Sequence, residues 1–354
     1  MTRRKNSPKA MNISHSCPTS GIEELQAVAR VLESGHHARG AVCTEFEQAL
    51  ARTVGLRHAH AVSSGTAALT LALMALGAGE GREVLVPSLA CAALLNAVRF
   101  TGAKPVLYDC GYELVEAKAI KRLVTRKTAA AVVVAPPHGF DGLGKCDVGV
   151  PVVLDRCQQL APVEGKRKPA AAAVCEVFSF YATKCISTGT GGAIASNDAG
   201  LIARIVDFNT PDKRADADIR RFNFQFDDLR AAMGLAQLSK LKRFVNARRR
   251  HACEYAKSLG DRLPAGGMVF RYLHDCSSEG ACDALAKRLA KAGVEAKRPV
   301  FKPLHRYLGM KDTAFPFAAD AWGRMLSLPL YPVLTDEMRE RVLGICRQNR
   351  TKGG

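Results

Sequence analysis

Four short segments carry residue types that could do chemistry. The first is Val62-Ser63-Ser64-Gly65-Thr66-Ala67-Ala68, where a strand-like run gives way to a helical one. Unpaired N–H groups and the helix dipole at such a junction suit a phosphate, with Gly65 giving access and Thr66 a hydroxyl. The same residues also make an ordinary N-cap. The second is Val153-Leu154-Asp155-Arg156-Cys157-Gln158, which sets a carboxylate directly after a buried strand. Ligands of open α/β sheets bind at that end of the strands, so Asp155 could hold a cationic ring nitrogen, or cap a helix.

The third segment is Val177-Phe178-Ser179-Phe180-Tyr181-Ala182-Thr183-Lys184, followed by Cys185-Ile186-Ser187-Thr188-Gly189-Thr190-Gly191-Gly192. A lysine after a strand and ahead of a glycine-rich turn is well placed for a Schiff base if its pKa is depressed. A lone lysine is more often simply solvated. Gly189-Thr190-Gly191-Gly192 is not a G-x-G-x-x-G fingerprint, and no Walker A sequence occurs. The fourth is Arg221-Phe222-Asn223-Phe224-Gln225, in which the phenylalanines read as packing residues and Asn223 as a turn residue or a polar ligand contact.

These segments need a frame, and the hydrophobic pattern supplies one. Helical spacing starts at Gly21 (Ile22, Leu25, Val28, Leu32) and continues through residues 44–54. Strand-like runs at 58–62, 83–87, 105–108, 130–135 and 150–154 then alternate with helical stretches at 65–76 and 90–100. Runs such as Ala131-Val132-Val133-Val134 read as strands buried on both faces. This alternation predicts a mostly parallel sheet covered by helices, an α/β fold. Further strands are expected at 174–180 and 193–196, then a charged loop at 210–221 and one long helix from near Asp227 past Arg250. A strand at 268–272, a helix at 281–292, a strand at 294–300 and two closing helices complete the pattern. The expected domains are a mobile basic arm (1–19), a large domain (20–259) and a smaller α+β domain (260–354).

Composition narrows the class. The chain has 354 residues, 47% of them hydrophobic, enough for two packed domains and incompatible with a disordered chain. Lys and Arg total 51 against 33 Asp and Glu, a formal net charge of +18. Such an excess favours anionic partners, including phosphorylated small molecules, without choosing among them. No helix-turn-helix signal accompanies the charge, so nucleic acid is not the expected partner. No signal-peptide core or membrane-spanning run occurs, which predicts a cytoplasmic protein without a membrane partner. The twelve cysteines include no C-x-x-C pair and no adjoining His cluster, so no metal site is expected. They read as reduced thiols, many of them small core residues.

Taken in order, the segments resemble the DegT/DnrJ/EryC1/StrS family of sugar aminotransferases, pyridoxal-phosphate enzymes of fold type I. The resemblance runs from Leu32-Glu33-Ser34-Gly35 and Thr44-Glu45-Phe46-Glu47 through Ser64-Gly65-Thr66-Ala67-Ala68-Leu69 and Glu83-Val84-Leu85-Val86-Pro87-Ser88. It continues through Gly102-Ala103-Lys104-Pro105-Val106 and the Asp155 and Lys184 segments. Asp228-Leu229-Arg230-Ala231-Ala232-Met233-Gly234-Leu235-Ala236-Gln237-Leu238, Lys302-Pro303-Leu304-His305 and Leu326-Ser327-Leu328-Pro329-Leu330 extend it to nearly the whole chain.

The resemblance implies roles. Lys184 carries the cofactor as a Schiff base and later shuttles a proton. Asp155 pairs with the pyridinium nitrogen, making the ring an electron sink. Gln158 approaches the ring 3-hydroxyl, Gly65, Thr66 and Ser179 hold the phosphate, and Asn223 reaches the phosphate of the neighbouring subunit's cofactor in a homodimer with shared sites. His305 lies toward the substrate. Three departures stand out. Cys91 replaces the family's ring-stacking aromatic residue, Gly189-Thr190-Gly191-Gly192 stands for its Gly-Glu-Gly-Gly, and Pro136-Pro137-His138-Gly139-Phe140 lacks its usual histidine three residues before the Gly.

The implied activity is transfer of an amino group from an amino acid, with glutamate the expected donor, to a nucleotide-linked keto sugar. One alternative is a sugar dehydratase of the same family, whose members replace the lysine with histidine; Lys184 stands against it. The other is a basic regulatory or nucleic-acid-binding protein that kept the fold, which has no need of Lys184, Asp155 and Gln158 together.

Overall fold

The computed structural model describes residues 12–112, 117–137, 147–160, 173–212, 219–263 and 268–347. In chain order the first elements are α1 (Ile22–Ser34), α2 (Ala41–Val54), β1 (His58–Val62), α3 (Gly65–Ala75), β2 (Glu83–Pro87), α4 (Ala93–Thr101) and β3 (Lys104–Tyr108). They are followed by α5 (Ala117–Lys121), β4 (Thr128–Val134), β5 (Val152–Asp155), β6 (Cys175–Ser179), β7 (Gly192–Ser196) and α6 (Ala199–Phe208). The remainder is α7 (Asp228–Ser239), α8 (Leu241–Leu259), β8 (Tyr272–Asp275), α9 (Glu279–Lys291), α10 (Leu304–Tyr307), α11 (Pro316–Arg324), β9 (Met325–Leu328) and α12 (Asp336–Arg347).

Seven strands form one sheet in the order β1-β7-β6-β5-β4-β2-β3. β3, β2, β4, β5 and β6 run parallel, whereas β7 is antiparallel to both β1 and β6. The near-continuous apolar strands follow from this arrangement. Ala130 to Val133 and Val152 to Leu154 are buried because helices cover both faces. On one face α2 contributes Phe46, which packs against Phe180 (ring centroids 5.3 Å apart) and Phe226 (5.6 Å). Gly234 lets α7 close onto this cluster, since a Cβ there would stand 2.6 Å from the Phe46 ring.

A second core gathers Tyr255 and Leu259 of α8 with Tyr272, Leu285, Leu326, Leu328 and Leu343, around the antiparallel pair β8–β9. Ile13 belongs to this core. Its N–H donates to the Gly293 carbonyl (2.9 Å) and its own carbonyl accepts from Glu295 N–H (2.8 Å). The expected arm therefore does not extend to residue 19. Residues 12–19 are tied down by pairing with a segment about 280 positions away, and residues 1–11 lie outside the described residues.

Three further expectations are corrected. The single helix past Arg250 is two helices, α7 and α8, breaking at Lys240. There the buried ammonium is drawn to Glu23 (3.3 Å) and Glu24 on α1, which ties the break to a neighbouring helix. The strand expected at 268–272 starts only at Tyr272, because the Phe270 and Arg271 N–H groups are taken by the Pro137 carbonyl (2.8 and 3.2 Å). The strand expected at 294–300 is two isolated bridges, Val294 to Ile13 and Lys297 to Ser327.

Candidate active site

Strand register brings the chemical segments together. Val62 pairs with Gly192, Gly192 with Ser179, and Val177 with Asp155. Because β7 is antiparallel to β1 and β6, its first residue lies at the edge where those two strands end. The Ser64-Gly65 junction, the Asp155 loop, the Lys184 loop and the glycine-rich turn thus converge at the carboxyl end of the sheet.

Each segment is held locally. Ser64 caps α3, its hydroxyl accepting from Ala67 N–H (3.1 Å). The Ser63 N–H donates to the Phe224 carbonyl (2.8 Å), and the Thr190 hydroxyl donates to the Ser63 carbonyl (3.0 Å). A Cβ on Gly192 would sit 2.4 Å from the Ser64 carbonyl carbon, and one on Gly65 would sit 3.0 Å from Ser179 Cβ and 3.2 Å from Cys157 Sγ. Glycine at both positions leaves the α3 N-terminus close to Ser179 and still open to a ligand.

Asp155 is 5% exposed. One of its oxygens accepts from Cys157 N–H (2.8 Å), and no cationic side chain pairs with it among the described residues. Burial first, and then the Asp155 carboxylate, push the Cys157 thiol pKa well above its ordinary value. The loop carrying Gln158 is braced beneath by a buried ion pair, Arg156 Nε to Glu176 (3.1 Å), and by Arg156 and Gln159 (2.9 Å), with the Gln159 amide donating to the Pro136 carbonyl (2.6 Å). Gln158 itself lines a cleft with Ala90, Tyr112, Pro136, Pro137 and Pro299.

Lys184 is half-buried, with its Nζ 5.2 Å from the centroid of the Phe270 ring and with no ion-pair or hydrogen-bond partner for the amine among the described residues. Its loop is anchored by Lys184 N–H to the Tyr181 carbonyl (2.8 Å), by Ala182 N–H to the Gly189 carbonyl (3.0 Å), and by Ser187 N–H to Gln237 Oε1 (3.1 Å). The Gln237 amide in turn donates to Glu24 (2.7 Å) and the Thr19 carbonyl (2.8 Å), linking the lysine loop to α1.

Gly65, Thr66, Asp155, Gln158, Ser179 and Lys184 are therefore neighbours around one edge of the sheet. Asn223 stands apart, exposed, one residue before the Phe224 that bonds Ser63. His305 does not face the cleft. It is fully buried, its Nδ1 2.6 Å from the Ser88 hydroxyl, its Nε2 2.8 Å from Asp312, and its ring stacked on Phe315. With both nitrogens engaged it positions the end of β2, which corrects the expectation of a substrate contact. The family's usual histidine, three residues before Gly139, is replaced by Pro136, which lines the cleft; the rest of that stretch, 138–140, lies outside the described residues. Phe270, Arg271 and Gln237 escaped the sequence reading. Gln237 sits in the Asp228 to Leu238 stretch of the resemblance without an implied role, and the other two carry no local motif.

The residues present fit pyridoxal phosphate. A buried carboxylate without a cation suits a pyridinium nitrogen, an unpaired lysine amine suits its aldehyde, and an open helix N-terminus beside a serine suits its phosphate. A mostly parallel sheet with this constellation at its carboxyl end, beside a second core around an antiparallel strand pair, defines an α/β transferase of fold type I. The chain belongs to the DegT/DnrJ/EryC1/StrS aminotransferase family, whose sequence profile matches residues 18–347, and it is an aminotransferase accordingly. Pyridoxal phosphate is the cofactor that family implies.

The chain is 32% identical over 342 residues to the GDP-perosamine synthase of Caulobacter vibrioides, covering 87% of this chain and 90% of that protein. Among solved structures it resembles the aminotransferase TlmJ of Streptoalloteichus hindustanus (TM-score 0.86, 29% identity, 96% of this chain and 99% of that one). It also resembles DesI, solved in the presence of its TDP-sugar product (TM-score 0.87, 26% identity, 98% and 95%).

Proposed function

We propose that the protein uses pyridoxal phosphate to move an amino group from glutamate to a keto sugar carried on a nucleotide. The observation that carries the cofactor reading is the meeting of three features at one edge of the sheet: an Asp155 carboxylate with no ion pair and a Lys184 amine with no partner, both among the described residues, and the N-terminus of α3. When bound, the cofactor supplies an electron sink next to the substrate carbon.

The chain's own residues do the rest. Asp155 holds a proton on the ring nitrogen, Gln158 bonds the ring 3-hydroxyl, and Gly65, Thr66 and Ser179 grip the phosphate. Lys184 holds the cofactor and, once freed, carries a proton to and from the reacting carbon. The nucleotide-sugar acceptor is supported by the two relatives whose names carry GDP-perosamine and a TDP-sugar product, and by the net charge of +18. The dehydratase reading is disfavoured because Lys184 is a lysine.

The working unit in this reading is a homodimer, with Asn223 completing the partner's phosphate site. Its exposure fits that role, and so do the apolar side chains that α1 presents to solvent, Ile22, Leu25 and Leu32. The proposed location is the cytoplasm; no helix among the described residues is long and apolar enough to cross a membrane.

The test is spectroscopic. Purified protein supplied with cofactor is expected to be yellow, to bleach with glutamate, and to recover its colour with a GDP- or TDP-linked keto sugar. Bleaching without recovery by any nucleotide keto sugar removes the acceptor; a protein that never takes up colour removes the cofactor chemistry.

A further inference from the structure

His60 is a buried histidine with no part in the chemistry described so far. It lies in β1, two residues before Val62, and is 3% exposed. Its Nδ1 is 3.1 Å from Glu47 Oε1 on α2, and its Nε2 is 3.0 Å from the side-chain nitrogen of Asn209, the residue that closes α6. Asn209 is buried as well, and its Oδ1 accepts from Phe224 N–H (2.9 Å). The Phe224 carbonyl in turn accepts from Ser63 N–H (2.8 Å). One chain of hydrogen bonds therefore runs from Glu47 through His60, Asn209 and the Phe224 backbone to Ser63, the neighbour of the residue that caps α3.

The direction of each bond in this chain is set by its partners. Burial raises the Glu47 carboxyl pKa, but His60, Arg39 and the Ala61 N–H (2.6 Å) outweigh it and hold the carboxyl below its ordinary range. An ionised carboxylate only accepts, so His60 Nδ1 donates to it and the bare Nε2 accepts from the Asn209 amide. Arg39 Nη2 also lies 3.3 Å from Nδ1, but it donates to both Glu47 oxygens (2.7 and 2.9 Å). The Asn209 oxygen is thereby turned toward Phe224, whose N–H needs an acceptor. A buried network with every member matched resists turning.

What the network holds is the segment 222–225. Phe222 N–H donates to the Phe208 carbonyl (2.8 Å), Gln225 bridges to Val62, and the Phe222 and Phe224 rings stack on each other (centroids 4.8 Å apart) against the sheet core. Side chains alternate along an extended segment, so Asn223 between them is exposed. The Thr190 hydroxyl holds the other side of Ser63, at its carbonyl (3.0 Å).

We infer that His60 and Asn209 are positioning residues for the cofactor phosphate. They set the Phe224 backbone, which fixes Ser63 and with it the Ser64-Gly65-Thr66 turn, and they hold Asn223 outward. Neither touches the phosphate. The inference rests on the cofactor reading above and adds the buried residues that tune its phosphate grip.

The experiment compares pyridoxal phosphate with pyridoxal, the same ring and aldehyde without the phosphate. Affinity for cofactor-free protein is read from the yellow absorbance of wild type, His60→Leu, Asn209→Leu and His60→Gln. The two leucine variants are expected to bind pyridoxal phosphate about tenfold more weakly, with pyridoxal affinity unchanged within about twofold. His60→Gln, whose amide still offers Asn209 an acceptor, is expected to keep most of the affinity. Circular dichroism checks the fold; if His60→Leu does not fold, Asn209→Leu and His60→Gln decide by the same readings. Unchanged pyridoxal phosphate affinity in a folded leucine variant overturns the inference. So does an equal loss for both compounds, which marks general structural damage, and so does a folded His60→Gln as weak as the leucine variants. If the wild type takes up no colour, the cofactor reading has failed and this inference with it; a coloured wild type and an unaltered phosphate preference in the folded variants sink the inference alone.

Discussion

A carboxylate that is 5% exposed and makes no ion pair among the described residues is an unusual expense for a folded chain, and Asp155 bears it at the site edge. The expense is offset when a protonated ring nitrogen is bound. Asp155→Asn is nearly isosteric and keeps an oxygen to accept the Cys157 N–H. It is expected to fold and still retain cofactor, while kcat falls by about a hundredfold or more, because a neutral partner no longer holds the ring proton. Circular dichroism and steady-state rates decide the matter; an unchanged rate removes Asp155 from the chemistry.

The three cysteines near the site separate by environment. Cys185 is buried and its pKa is pushed up to about 11 by that burial, and burial also drives Cys157 well above its ordinary value. Cys91 is exposed. It is therefore the thiol expected to react with a maleimide, and bound cofactor is expected to slow that reaction if Cys91 stands where the family places its stacking aromatic. Peptide mapping after labelling checks this. Equal labelling of Cys91 with and without cofactor would separate it from the cofactor site.

Between elements, the closest approach in the site is the start of β7 against the start of α3. Gly192→Ala puts a methyl group 2.4 Å from the Ser64 carbonyl carbon, and backbone there must move. The expected result is a stability loss of about 1–3 kcal/mol, with weaker cofactor retention than the stability loss alone explains, since the displaced segment is the proposed phosphate cradle. Denaturant melts and dialysis against cofactor-free buffer measure both; full retention in the variant would detach the turn from the cradle.

The N-terminal segment is joined to β9 by a different device. His15 is 3% exposed, its Nε2 2.9 Å from the Ser327 hydroxyl, and its pKa is lowered from 6.5 to about 3, first by burial and then by Arg271 and Lys297. It is neutral in the folded protein, whereas the unfolded chain takes up a proton below about 6.5. Stability is thus lost as pH falls from about 6.5 toward 3, at up to about 1.4 kcal/mol per pH unit from this group. His15→Gln, which cannot titrate, is expected to flatten that acid limb by one proton. Parallel limbs for the variant and wild type would show that His15 gains its proton while folded.

At the scale of the whole molecule, the proposed site is assembled from two subunits: Lys184, Asp155 and Ser179 from one and Asn223 from the other. In a dimer mixed from Lys184→Ala and Asn223→Ala chains, one site carries both defects and the other carries neither. Exchange of subunits is therefore expected to raise turnover above the mean of the two parents, measured at fixed total protein with mixed dimers confirmed by mass. No gain from confirmed mixed dimers with a clearly impaired Asn223→Ala parent assigns Asn223 to its own subunit or to no site.

Much of this protein was legible before any coordinates. Strand-to-helix junctions, buried apolar runs and residues at the ends of strands are local patterns. The Ser64-Gly65-Thr66 junction, the Asp155 and Lys184 segments and the parallel sheet that unites them could therefore be read from neighbours along the chain. What the chain order hid depends on contacts between distant positions. His305 reads as a substrate contact until Ser88, 217 residues earlier, takes its Nδ1. Residues 12–19 read as an arm until Ile13 pairs with Gly293, and the helix after Asp227 reads as continuous until Glu23 and Glu24 draw Lys240. Arg271 belongs to no motif at all. Only the packing of Phe270 against Lys184, with Pro137 holding the backbone, leaves the Arg271 guanidinium half-buried and without a hydrogen bond or ion pair among the described residues, because burial and partners are properties of three-dimensional surroundings rather than of spacing.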